Sequence, residues 1–139
     1  MTMREERYLL ARVAVPAAET FNGVADRLSQ LMPGFALEEE LKGRYDEVPA
    51  FVAERDEFEF VLLGIPVGES GDDYEFKFRC ETDLSIDALL ARDAGGFLRQ
   101  FVHDKAVGTG GFMDFSEELA QALVRHGIEG CKPIRPVDQ

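Results

Sequence analysis

The side chains that most often carry catalysis are few in this sequence of 139 residues. It contains two histidines, His103 and His126, and two cysteines. A histidine base needs a convergent partner, and the only carboxylate beside His103 in the sequence is Asp104, which would point to a different side of a helix. His126 falls near the predicted end of a helix, where a positive charge favours the helix dipole. We therefore expect neither histidine to be catalytic.

The cysteines, Cys80 and Cys131, lack the surroundings of a nucleophile or a metal ligand. A reactive thiolate needs an exposed, electropositive pocket, whereas Cys80 ends an apolar phase and is interpreted as a core residue. Apart from His126 and Cys131, the histidines and cysteines lack the short paired spacing of structural zinc sites. We expect two free thiols in a reducing cytosol, no metal and no cofactor.

Two further segments, one acidic and one rich in glycine, predict no chemistry. Asp72 and Asp73 follow a glycine but lack the alternating acidic pattern of a calcium loop. The glycine-rich residues 108–111 are not followed by the Lys-Ser/Thr pair of a phosphate loop. We therefore expect no enzymatic activity. The alternative is a small cytosolic enzyme or ligand-binding domain, with His103 or His126 in a pocket between sheet and helices.

Net charge is the most informative property of the composition. The chain has 27 acidic and 15 basic residues, and residues 38–83 alone hold 15 acids and 5 bases. Nucleic acid and anionic membrane are therefore poor partners, whereas a basic protein would be attracted. A solvated sheet face is the competing interpretation. The candidate partner contacts are Glu38, Glu39, Glu40, Tyr45, Asp46, Glu47, Glu54, Asp56, Glu57, Asp72 and Asp73.

Three segments show the pattern of β-strands. Residues 8–15 are rich in β-forming side chains, residues 56–64 are apolar on both phases in their second half, and residues 74–80 alternate between apolar and charged. The last two are expected to form a hairpin with aromatic side chains pairing across it. Residues 35–41 are a weaker candidate, because three glutamates break the alternation. In the first strand, the alternate residues that we expect to face the core are Leu9, Ala11, Val13 and Val15.

Helical periodicity appears three times. Apolar residues recur at three- and four-residue spacing over 21–32, and Pro16 would suit the first turn of that helix. Ser85 is the predicted N-cap of a second helix, and Asp114 and Ser116 are rival N-caps for the last one. This order predicts an α+β fold, a mainly antiparallel sheet with helices packed on one face, as a single domain over residues 1–139.

The chain carries no apparent export signal. Its first residues are charged, and no stretch approaches the roughly 18 apolar residues that a membrane span needs. We therefore expect a cytoplasmic protein.

Three strings give the sequence a family likeness. Gly43-Arg-Tyr-Asp-Glu-Val-Pro-Ala-Phe-Val-Ala-Glu54, then Phe60-Val-Leu-Leu-Gly-Ile-Pro66, then the alternating residues 74–80 resemble small bacterial immunity proteins of polymorphic toxin and contact-dependent growth inhibition systems. The resemblance implies a non-enzymatic inhibitor that binds one cognate toxin, often a basic nuclease, through an acidic surface. This is the leading hypothesis. A third hypothesis is an adaptor that associates through a sheet edge as a homodimer.

Overall fold

The computed structural model describes residues 6–40, 48–55, 57–65, 71–93 and 96–134, apart from the side chain of Thr109. The fold is α+β, with one seven-stranded mixed sheet and three α-helices packed on it. The strands are β1 (Arg7–Pro16), β2 (Glu38–Glu39), β3 (Ala50–Arg55), β4 (Phe58–Leu63), β5 (Asp73–Thr82), β6 (Phe112–Asp114) and β7 (Lys132–Pro133). The helices are α1 (Phe21–Leu31), α2 (Ile86–Ala91) and α3 (Ser116–Arg125), and a 3₁₀ turn spans Leu98–Gln100.

Strand β1 organises the sheet, whose order is β2-β3-β4-β5-β1-β6. On one side β1 pairs antiparallel with β5 over all ten of its residues. On the other side it pairs parallel with β6 near its start and antiparallel with β7 near its end. The predicted β4–β5 hairpin pairing is confirmed, with Phe60 opposite Phe78.

The two faces of the sheet differ in chemistry because side chains alternate along each strand. The predicted core phase of β1 is confirmed, since Leu9, Ala11, Val13 and Val15 are all buried. Buried residues of α1, α2 and α3 belong to the same core cluster, so the described helices pack on this one face. The opposite, open face carries the charged phase of β5: Glu75, Lys77, Arg79 and Glu81.

Side-chain caps fix where α1 and α2 begin, whereas α3 has Phe115 as its N-cap with no side-chain cap, so the prediction of Asp114 or Ser116 as its N-cap is wrong. Thr20 Oγ1 accepts a hydrogen bond from the N–H of Gly23 at 3.0 Å, so α1 starts at Phe21. The prediction that Pro16 enters this helix is wrong, because Pro16 still pairs with Asp73 at the end of β1. Ser85 caps α2 as predicted, accepting from Ala88 N–H at 3.2 Å.

The short strands differ most from the sequence-based prediction. The predicted strand over 35–41 shrinks to Glu38–Glu39, and β6 and β7 were not predicted at all. β6 has three residues and β7 has two, which is too few for the apolar–polar alternation of a strand to be visible in the sequence. They form strands because their backbone groups pair with those of β1. Within the ranges described above, no helix is both long and apolar enough to cross a membrane.

Phe60 is the centre of the aromatic core. Its ring centroid lies 5.0 Å from that of Phe78, 5.1 Å from Phe35, 5.6 Å from Phe76 and 6.1 Å from Phe97. All five rings are buried, and such pairs add to the free energy of burial. Phe60 therefore joins β4 and β5 to the loop that follows α1 and to the segment before the 3₁₀ turn.

Truncation of Phe60 tests this packing. We expect Phe60→Ala to lower the free energy of unfolding by about 3–5 kcal/mol, because the cavity cannot collapse between four rings. Urea denaturation followed by circular dichroism measures the change. Val107→Ala is the matched control, since Val107 is exposed and should change stability by no more than about 0.5 kcal/mol. Equal losses in the two variants would contradict the central role of Phe60.

Candidate functional site

Six carboxylates gather where the β3–β4 turn meets the end of β5. They line two adjoining depressions of about 490 and 360 Å³, which share Glu57 and Glu81. Two arginines, Arg79 and Arg92, lie among them, so six acids against two bases leave a formal charge of −4. We call this group the acidic sheet end: Glu6, Glu54, Glu57, Glu59, Glu81 and Asp83.

Strand register brings these carboxylates together. Glu54 of β3 lies directly opposite Glu59 of β4, and Glu59 lies opposite Arg79 of β5. Like charges that face each other across a ladder lower the stability of a sheet, so the Glu54–Glu59 pairing itself is unfavourable. Glu81 lies two residues after Arg79 on β5, on the same face of the sheet, and is opposite Tyr8 of β1.

The two arginines compensate only part of this charge. Arg92 Nη1 donates to both carboxylate oxygens of Glu57, at 2.9 and 3.0 Å, and so ties α2 to the β3–β4 turn. Arg79 is more distant, with its Nε 3.9 Å from Glu59 Oε1, and its side chain is 71 % exposed. At that separation and exposure the pair contributes little. The described residues that line the two depressions therefore have a net negative formal charge, which attracts cations.

The predicted contact residues are not gathered at one place. Glu54 and Glu57 lie in the acidic sheet end, whereas Asp72 and Asp73 lie at the opposite end of β5, about 26 Å away at the usual rise per residue. Glu38 and Glu39 form the edge strand β2, and Glu40 follows it. Four predicted residues lie outside the described ranges: Tyr45, Asp46, Glu47 and Asp56.

Four members of the acidic sheet end were missed by the sequence analysis: Glu6, Glu59, Glu81 and Asp83. Glu59 and Glu81 occupy the polar phase of β4 and β5, which is a usable signal. Glu6 precedes β1, and only the β1–β5 register shows that it lies near Asp83. The distribution of charge along the sequence does not show that Glu6 and Asp83 lie close together.

His103 takes part in a group of polar contacts at the start of α3, which we call the clasp (His103, Lys105 and Glu118). Its Nε2 lies 3.0 Å from Glu118 Oε2, and Lys105 Nζ donates to the same oxygen at 2.7 Å. Lys105 also donates to the carbonyl oxygen of Asp114 and lies 4.4 Å from the ring centroid of Phe115. Burial raises the pKa of Glu118, but the hydrogen bonds from Lys105 and His103 outweigh it, so the pKa is lowered overall.

The remaining candidate nucleophiles and bases also have structural roles. His126 is the C-cap residue of α3, as its position in the sequence predicted, and its Nε2 contacts the side-chain oxygen of Gln100. Burial raises the pKa of the Cys80 thiol to about 12 and that of Cys131 to about 11. Within the described part of the chain, no group of three or more His, Cys, Asp and Glu residues could hold a metal ion.

Both edges of the described sheet are protected against a further strand. At the β6 edge, the carbonyl oxygen of Phe112 accepts the N–H of Gly108 at 2.8 Å, and that of Asp114 accepts Lys105 Nζ. The other edge strand, β2, has two residues and both are glutamates. Short, charged or covered edges disfavour edge-to-edge pairing, so these edges do not favour the sheet-edge homodimer.

Comparisons with known proteins add no relative to this description. No family model, no curated protein and no solved structure matches the chain.

Thiol labelling tests whether either cysteine is reactive. We expect Cys80 and Cys131 to resist Ellman's reagent in the native protein at pH 8, because both thiols are buried and their pKa values are raised well above that pH. Unfolding in guanidinium chloride is the control and should release both thiols rapidly. Fast stoichiometric labelling without denaturant would show that one of them is an accessible thiolate.

Removal of the Lys105 ammonium group tests the clasp. We expect Lys105→Met to lower the free energy of unfolding by about 1–2 kcal/mol, because Glu118 and the Asp114 carbonyl lose a charged donor. Lys132→Met, on exposed β7, is the matched control and should change it by no more than about 0.5 kcal/mol. A double-mutant cycle with Glu118→Gln should show coupling, and full additivity would exclude the clasp.

Proposed function

We propose that this protein is an inhibitor that binds a basic protein partner, and that it acts as the immunity protein of a bacterial toxin. The observation that carries the proposal is the acidic sheet end, since the described residues that line its two adjoining depressions include six carboxylates and two arginines. A concave, negatively charged surface focuses its field and attracts cations. A basic protein surface is therefore the partner that this chemistry fits.

Inhibition would proceed by occlusion and requires no chemical step. Long-range attraction raises the association rate, and close packing of the carboxylates against lysines and arginines then holds the complex. A toxin that acts on nucleic acid presents such cations where it binds phosphate. Carboxylates of the acidic sheet end would occupy those cations in place of phosphate, or cover the surface beside them.

The structural roles of the reactive side chains support a binding function over an enzymatic one. His103 and His126 are held by Glu118 and Gln100, and both thiols are buried in the core. A general base needs a geometry that reaches substrate, and a nucleophile needs a base beside it. Neither arrangement is formed by these four residues, which is consistent with a protein that acts by contact.

The test is binding to the product of the neighbouring gene, where the proposal expects a toxin domain to be encoded. We expect a nanomolar complex at 50 mM NaCl, with an association rate that falls steeply when salt is raised to 500 mM. The double variant Glu54→Lys/Glu81→Lys should slow association at least tenfold while changing dissociation less. Surface plasmon resonance measures both rates, and circular dichroism confirms that each variant is folded.

Matched charge reversals elsewhere make the test specific. Asp72→Lys/Asp73→Lys alters the opposite end of the sheet, and Glu38→Lys/Glu39→Lys alters its β2 edge, with the same change in net charge. Smaller effects from both controls would support the acidic sheet end as the docking surface. Equal effects from all three would mean that only net charge matters, and absence of any complex at low salt would overturn the proposal.

A further inference from the structure

An exposed aromatic side chain stands beside the acidic sheet end. Phe112 of β6 is 50 % exposed, and Val107, at the start of the same turn, is 46 % exposed. The third large exposed apolar residue among those described, Val124, lies on α3. Exposed aromatic residues bordered by charge are the usual anchors of protein interfaces. Of these three exposed residues, Phe112 is the one linked to the proposed docking surface, because it pairs with Tyr8, which lies opposite Glu81.

Backbone constraints hold Phe112 in this position. Gly110 and Gly111 have φ values of +77° and +85°, which side-chain-bearing residues rarely adopt. A Cβ atom on Gly111 would lie 2.8 Å from the carbonyl oxygen of Glu6, so only glycine permits this close approach. The turn is closed by hydrogen bonds between Gly108 and Phe112 and between Gly111 and Gly108. The ring is thus presented by a defined turn.

Phe112 pairs with Tyr8 next to two carboxylates. The two rings have centroids 5.2 Å apart and planes inclined at 33°, and the residues are partners in the parallel β1–β6 register. The Tyr8 hydroxyl donates to Glu6 Oε2 at 3.1 Å, and Glu81 lies opposite Tyr8 on β5. Two aromatic faces and two carboxylates therefore lie together at the border of the larger depression.

We propose that this group, which we call the aromatic subsite (Tyr8, Phe112, Glu6 and Glu81), receives an arginine side chain of the basic partner. A guanidinium group stacks on aromatic faces and donates several N–H groups to carboxylates in one plane. A lysine ammonium group offers a point charge without that planar match. The inference rests on the proposed function and specifies one contact within it.

Two other partners could bind an exposed aromatic pair, a second copy of this chain or a nucleic acid, and charge repulsion disfavours both. A second copy of this chain also carries a formal charge of −12, so two acidic sheet ends would repel each other. Nucleic acid bases stack well on aromatic rings, but the accompanying phosphates would meet Glu6 and Glu81. A cationic protein side chain gains from both the rings and the carboxylates.

Peptide titration tests the subsite without knowledge of the toxin. The probes are the blocked peptides Ac-Arg-Gly-Arg-Gly-Arg-NH2, its lysine analogue and its uncharged citrulline analogue. In ¹H–¹⁵N spectra at low salt, we expect the arginine peptide to shift the amides of Tyr8, Phe112 and Glu81 most. The lysine peptide should bind more weakly and the citrulline peptide not measurably. Larger shifts at Asp72 and Asp73 would overturn the subsite.

Variants separate stacking from charge. Phe112→Ala should weaken binding of the arginine peptide about two- to fivefold, the effect of an exposed cation–π contact. Glu81→Gln should weaken it through charge. Val124→Ala, at a residue with similar exposure (44 %) on α3, is the matched control and should leave binding unchanged. No change for Phe112→Ala, or an equal change for Val124→Ala, would exclude stacking at this position.

The same variants distinguish this inference from the proposed function. If the cognate toxin binds the wild-type protein and Phe112→Ala does not speed its dissociation, the subsite is wrong while the inhibitor function stands. If the arginine peptide binds at Tyr8 and Phe112 but the neighbouring toxin forms no complex, the inhibitor function is wrong while the subsite stands.

Discussion

Backbone hydrogen bonding on both sides of β1 is the constraint on which the rest of the structure depends. One side is fully paired with β5, but the other side is shared by β6, β7 and the segment between them. Between the two short strands, the N–H of Arg12 donates to Ser116 Oγ at 2.9 Å. The carbonyl oxygen of Leu10 accepts the N–H of Phe115, and that of Arg12 accepts the N–H of Ile134. Buried backbone groups must find partners, so this requirement positions α3 against the sheet.

The functional surfaces follow from the same arrangement. Because β6 pairs in parallel with the start of β1, the turn that carries Phe112 is brought beside Tyr8 and the end of β5. The β1–β5 register then places Glu81 next to this aromatic pair, and β4 adds Glu59 one strand away. The acidic sheet end and the aromatic subsite are thus neighbours through strand pairing, although their residues come from four separate parts of the chain.

Sequence reasoning succeeds where a pattern is local and fails where pairing is distant. The apolar phase of β1, the alternation of β5 and the Ser85 cap are each visible within a few residues, and all three are confirmed. β6 and β7 have no such pattern, because their strand conformation comes from contact with β1. For the site, local composition predicted the acidic segment and included Glu54 and Glu57. It could not predict that Glu6 and Phe112 join the same surface, since that depends on register.

The pairing of β1 also has a consequence for how the chain acquires its structure. β1 is the first strand to be synthesised, yet its partners lie at residues 73–82, 112–114 and 132–133. β1 therefore leaves the ribosome long before its neighbouring strands exist, and the pairing of one of its edges is completed only by residues 132–133. Contacts so distant in sequence slow folding and leave an apolar strand exposed meanwhile. We expect the sheet to close only after residues 132–133 have left the ribosome.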